Sequence, residues 1–168
     1  MIQRKIAGYV DKVAKCYPVV TIMGPRQSGK TTLAQAQFPA HQYRNLETED
    51  VLSAAKADPR RFLMNGSANM VIDEIQRFPS LLTYIQEMVD ANRIKGQFVL
   101  TGSHQPELGA AVSESLAGRT GICTLMPLSI EELKEGGIVV EDRDGLMWHG
   151  FMPRMYDDAI EPGMLYRD

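Results

Sequence analysis

The chain has 168 residues, 44% of them hydrophobic and 23% charged, with a formal net charge of -3. That length suits one domain able to bury roughly 70% of its unfolded surface, and the balance reads as a soluble globular protein. The charge does not indicate a nucleic-acid surface, although a local basic patch is compatible with it. Cys16 and Cys123 lack the spacing of a zinc site or a disulfide framework and read as buried thiols. No apolar run approaches the ~20 residues of a membrane span, and Met1 to Lys5 lacks a signal-peptide core, so a cytoplasmic protein is expected.

Ile2, Ile6, Val10 and Val13 recur at helical spacing through Cys16. Val19 to Met23 is a short β-branched run, read as a buried strand. Glycines and small residues follow, then a helix from Thr31 to Gln37 that Pro39 closes. Tyr43 to Leu46 is a weaker strand. Glu49 to Lys56 and Pro59 to Met64 are short helices around Asp58-Pro59. Met70 to Ile72 is a strand ending at Asp73-Glu74. Pro79 opens a helix with Leu81, Leu82, Ile85, Met88 and Val89 on one face. Phe98 to Leu100 and Ile122 to Met126 are further strands, and Ser129 with Glu132 forms a capping box. Strands alternating with helices predict an α/β fold with a mainly parallel sheet. After Gly136-Gly137 the pattern degrades, which sets a boundary between residues 1–136 and an extension over 137–168.

Gly24-Pro25-Arg26-Gln27-Ser28-Gly29-Lys30-Thr31 fits G-x-x-x-x-G-K-[ST], and Thr32 completes the candidate phosphate-binding stretch. Backbone N–H groups turn inward around a phosphate, Lys30 reaches the β- and γ-phosphates, and the Thr31 hydroxyl takes Mg²⁺. The helix that follows points its positive end at the same anion. Arg26 is expected to point outward, since the backbone does the cradling. Asp73 at a strand tip is the second metal ligand. Glu74 is placed to orient or deprotonate a water attacking the γ-phosphate. Ser103, closing Leu100-Thr101-Gly102-Ser103, is a candidate for holding that water or the γ-phosphate; the alternative is a turn serine. Asn45 is a candidate restraint on Glu74, or else an ordinary turn residue. Arg119 is a candidate for stabilising transferred charge, within the chain or across a subunit contact; the alternative is a solvated surface arginine. His41, His104 and His149 lack ligand spacing, so no metal site is read from them.

Gly-Pro-Arg-Gln-Ser-Gly-Lys-Thr, Val-Ile-Asp-Glu-Ile-Gln, Leu-Thr-Gly-Ser and Leu-Ala-Gly-Arg, in that order, resemble a prokaryotic group of AAA-type (AAA+) ATPases. The likeness extends through Pro127-Leu128-Ser129 and Glu131-Glu132-Leu133 to Trp148–Pro153. It implies a three-layer α/β/α P-loop NTPase fold with five parallel strands and the P-loop strand central. It also implies Lys30 and Thr31 for phosphate and magnesium, Asp73 and Glu74 for metal and water, Ser103 as the sensor-1 residue, and Arg119 as the family arginine. Members usually carry a further C-terminal domain, so this chain is expected to be a truncated or split version.

The expected function is Mg-dependent hydrolysis of ATP, coupled to an unknown protein partner or to self-assembly. The alternatives are a nucleotide-dependent binding switch with little turnover, or a P-loop small-molecule kinase. The tail from Gly137 is expected to be loose, with Leu146, Met147, Trp148, Phe151, Met152 and Met155 forming a sticky patch. A small subdomain folded onto the sheet is the alternative.

Overall fold

The computed structural model describes residues 2–64, 69–103, 106–139 and 142–157. His104 and the end of the tail, 158–168, lie outside the described residues.

Five strands form one parallel sheet. β1 (Val19–Gly24) pairs with β4 (Phe98–Ser103) on one side and β5 (Thr120–Thr124) on the other. β3 (Met70–Asp73) pairs with β4, and β2 (Gln42–Asn45) pairs with β3. The order is β2-β3-β4-β1-β5, so the P-loop strand is interior but β4 holds the middle position. Every residue of β1, β3 and β4 is buried, as continuous apolar runs in a sheet covered on both faces require.

Side-chain alternation divides these strands between two layers. Val20, Ile22, Val71 and Val99 pack with α1 (Ala7–Cys16) and α2 (Lys30–Gln37). Met70, Ile72, Phe98 and Leu100 pack on the opposite face. There they meet α3 (Glu49–Ala57), α4 (Pro59–Met64), α5 (Leu81–Asn92) and α6 (Pro106–Ser115). Each fully buried large apolar side chain contributes about 1.5–3 kcal/mol. This is the three-layer α/β/α arrangement.

Some expectations shift. β5 starts at Thr120 rather than Ile122, because Thr120 and Gly121 already pair with Val19 and Val20 of β1, and α1 crosses the strand closely there. A Cβ on Gly121 would lie 2.2 Å from Val13 Cγ1, so only glycine admits the helix there. The outward positions of this edge strand leave Ile122 exposed. Cys123 is buried, and burial pushes its thiol up to about 11, whereas Cys16 is exposed at the end of α1, contrary to the expected buried thiol.

The capping box at α7 (Ile130–Glu135) is present in both directions. Beyond it, α8 (Arg143–His149) and the short α9 (Arg154–Asp157) follow where no periodic run was legible. Met155 is buried, while Met147 and Trp148 are exposed. The connecting segment lies against the core, with Leu128 N–H donating to Phe151 O at 2.8 Å.

Candidate active site

The carboxyl ends of the parallel strands deliver the site. β1 ends at Gly24, in register with Ser103 at the end of β4. A Cβ on Gly24 would stand 2.0 Å from Leu125 O, so the loop can leave the sheet there only from a glycine. The loop then turns through Gln27 (φ 61°) and Gly29 (φ 90°), both left-handed, and α2 begins at Lys30. Lys30 Nζ folds back over its own loop, donating to Gly24 O at 3.1 Å and Pro25 O at 2.8 Å. It is 5% exposed. Burial lowers its pKa, against the pull of the Glu74 and Asp73 carboxylates. Arg26 points outward, 3.7 Å from Glu47. Ser28 Oγ, inside the loop, is buried with no hydrogen-bond partner.

Asp73, buried at the tip of β3, gathers three hydroxyls. Thr31 Oγ1 donates to its carboxylate at 2.9 and 3.1 Å, Tyr43 OH donates at 2.7 Å, and Thr101 Oγ1 donates to Oδ1. Burial, then the bond to Asp73, pushes the Tyr43 phenol well above its ordinary pKa. Thr31 and Asp73 thus present hard oxygen donors at one point, the donor chemistry of a Mg²⁺ site completed by substrate phosphates. Among the described residues no group of three or more His, Cys, Asp or Glu side chains converges on a metal position. A site that needs one carboxylate and one hydroxyl from the protein requires none.

Glu74 follows in a left-handed conformation (φ 58°, ψ 48°), its N–H 3.3 Å from Thr101 Oγ1. For a non-glycine residue this conformation costs about 1 kcal/mol or more, and it re-aims the side chain away from the strand line. Glu74 faces a cleft of about 280 Å³ shared with Gln27, Lys30, Thr31, Pro153 and Arg154. Its carboxylate accepts from Gln76 Nε2. The Asn45 side-chain oxygen accepts from Glu47 N–H at 2.8 Å, a local turn in the chain, and the side chain bonded to Glu74 is that of Gln76.

Lys30, Thr31 and Glu74 therefore line one cleft, with Asp73 buried behind Thr31, while Ser103 lies beside the root of the loop, in register with Gly24. Arg119 does not join them, which removes the within-chain placement, one of the two expected for it. Its carbonyl accepts from Val19 N–H at the start of β1, the opposite end of the sheet, about 17 Å away at ~3.3 Å per strand residue. Its guanidinium forks onto Asp90 at 2.6 and 2.8 Å, which raises its pKa and lowers that of Asp90. Sequence reasoning missed Tyr43 and Thr101, which reach Asp73 through strand register. It also missed Pro153 and Arg154, brought to the cleft by the C-terminal segment.

A profile of the AAA domain family matches residues 17–134. An uncharacterized protein of Mycobacterium tuberculosis is 36% identical over 169 residues, covering 99% of this chain and 37% of that protein. Two solved structures share the fold. AMPPCP-bound DnaA from Aquifex aeolicus has a TM-score of 0.60 at 16% identity, covering 96% of this chain and 59% of that one. A Walker-type ATPase of Pyrococcus abyssi has a TM-score of 0.58 at 14% identity, covering 91% and 65%. The fold and the loop are those of a P-loop NTPase. The chain belongs to the AAA domain family of P-loop ATPases, and it spans about 37% of the length of the curated relative it matches.

Proposed function

We propose that this chain binds ATP with Mg²⁺ at the carboxyl end of its sheet and hydrolyses it to ADP and phosphate. The observation that carries the reading is that Thr31, which lines one cleft with Lys30 and Glu74, is joined by its hydroxyl to the buried Asp73. The loop backbone and Lys30 hold phosphates, and Thr31 and Asp73 hold the metal. A Mg²⁺ held by these residues would supply positive charge against the phosphates. Glu74 takes the proton of the attacking water or orients it, and Ser103 sits one strand from the loop root to fix it. Tyr43 and Thr101 keep the Asp73 carboxylate aimed at Thr31. Such a site works by positioning and by charge placed before the reaction begins.

A second, largely apolar recess of about 190 Å³, lined by Ile2, Ala7, Leu33, Leu128 and Pro153, opens beside Gly29 and Thr32. It is the place for the base and ribose. Arg119 meets a nucleotide only when a second copy of the chain presents its loop. The chain acts in the cytoplasm and passes the energy of hydrolysis to a protein partner. The hold of Gln76 on Glu74 favours a second reading, a nucleotide-dependent switch with slow turnover.

Phosphate release from Mg·ATP with no acceptor molecule present tests the proposal. Release over many turnovers is expected. Tightly bound, uncleaved ATP would support the switch, and transfer only to an added small molecule would support a kinase.

A further inference from the structure

Arg4 stands outside every motif, three residues before α1, yet its side chain is only 10% exposed. All three nitrogens of its planar fork donate. Nη1 donates to Ser28 O at 2.7 Å, Nη2 to Met126 O at 2.5 Å and to Pro127 O at 3.3 Å, and Nε to Glu132 Oε1 at 3.2 Å. Glu132 is the capping-box residue of α7. Its Oε1 also accepts from Lys5 N–H at 2.7 Å, and its Oε2 accepts from Ser129 N–H at 2.9 Å. Burial would raise the Glu132 carboxyl, but the Ser129 and Lys5 N–H groups and the Arg4 charge outweigh it and hold it below its ordinary range. One ion pair thus joins the N-terminal segment, the β5–α7 connection and the phosphate loop.

We infer that Arg4 is a positioning residue for phosphate binding, acting through the Ser28–Gly29 peptide. No described peptide bond is cis, so the carbonyl and N–H of this planar unit lie on opposite edges. Arg4 grips the carbonyl edge. The Gly29 N–H is thereby turned to the other side, and Gly29 is the left-handed residue (φ 90°) from which α2 starts. A cation on the carbonyl also polarises the peptide and strengthens its N–H as a donor. A lysine cannot reproduce this, because its single point charge does not bridge Ser28, the Met126–Pro127 carbonyls and Glu132 at once.

The inference rests on the phosphate-binding reading of the loop. Arg4 also lines the apolar recess, so inorganic tripolyphosphate, which has no base, is the probe that isolates its effect on the loop. Calorimetry with tripolyphosphate and Mg·ADP compares the full chain with Arg4→Gln and Arg4→Lys, each checked for folding by its thermal transition. Steady-state phosphate release then separates KM from kcat. Arg4→Gln is expected to weaken both ligands about tenfold and to raise KM by a similar factor, with kcat within about twofold. Arg4→Lys, which keeps the charge and serves if the glutamine variant fails to fold, is expected to lose at least threefold. Unchanged tripolyphosphate affinity in a folded Arg4 variant would reduce Arg4 to an anchor of the N-terminal segment and overturn the inference alone. A parent chain that binds neither ligand would overturn the phosphate-binding reading and this inference with it.

Discussion

The two ends of the sheet carry similar residue types and do different things with them. At the carboxyl end, a lysine and a glutamate line a cleft with Thr31, whose hydroxyl binds an aspartate, and Lys30 and Asp73 are almost wholly withdrawn from water. At the amino end, Arg93, Lys95, Arg119 and Asp90 surround a recess with Pro18 and Gly118. There the Arg119–Asp90 pair is 31% and 42% exposed. Water screens such a pair, so it contributes little, and Arg119 Nη1 also donates to Ala117 O at 3.0 Å. The carboxyl end gains its power from strand tips that deliver side chains to one point and from loops that place N–H groups there. This is the general reason parallel α/β sheets bind ligands at their carboxyl ends.

Substitutions sharpen this contrast. Among the residues proposed to hold metal and phosphate, the largest effect is expected at Asp73. Asp73→Ala removes the proposed metal ligand and leaves three hydroxyls without their acceptor, so Mg-dependent turnover should fall on the order of a hundredfold, within the range for ligand and outer-shell losses. A metal titration of phosphate release reads this directly, and a variant that keeps the parent's Mg dependence would break the assignment.

Lys30→Ala should weaken ATP at least tenfold, about 2 kcal/mol for a charge-assisted contact. A folded variant with parental affinity in a nucleotide titration would show that the buried cation serves only the loop's own carbonyls. Tyr43→Phe keeps the ring and deletes one donor to Asp73. It should cost about 1 kcal/mol in metal-dependent affinity, several-fold in Kd for Mg·ATP. No change there would make Thr31 and Thr101 sufficient to hold the carboxylate.

The smallest effect is expected at the amino end. In dilute chain, Arg119→Ala should leave turnover per molecule unchanged, and it should flatten only the rise of turnover with protein concentration. A loss of turnover at the lowest concentrations would mean that the two ends communicate within one chain.

The phosphate loop and the Asp-Glu strand tip were legible because each is a contiguous stretch whose chemistry follows from local spacing. The strand cores were legible for the same reason: continuous β-branched runs leave little choice. What sequence could not show is convergence. Tyr43 and Thr101 lie 30 and 28 residues from Asp73 and reach it only through the pairing of β2, β3 and β4. Arg4 and Glu132, 128 residues apart, carry no motif that announces their pairing. α6 was missed because Gly109 and small residues dilute its apolar face to Leu108 and Val112. α8 and α9 were missed because elements of seven and four residues are too short for periodicity to emerge. Glu74 was legible as a carboxylate but not as a left-handed residue, and that conformation aims it.

The measurement that bears most directly on the proposed role of the carboxyl end is a side-by-side assay of the parent chain and Glu74→Gln with Mg·ATP, recording bound nucleotide and released phosphate together. The amide keeps the size of the side chain and leaves Lys30, Thr31 and Asp73 in place. The account predicts parental ATP binding and a loss of phosphate release of at least a hundredfold, the scale of positioned general-base catalysis. Equal phosphate release in the two proteins would contradict it and remove Glu74 from the chemistry.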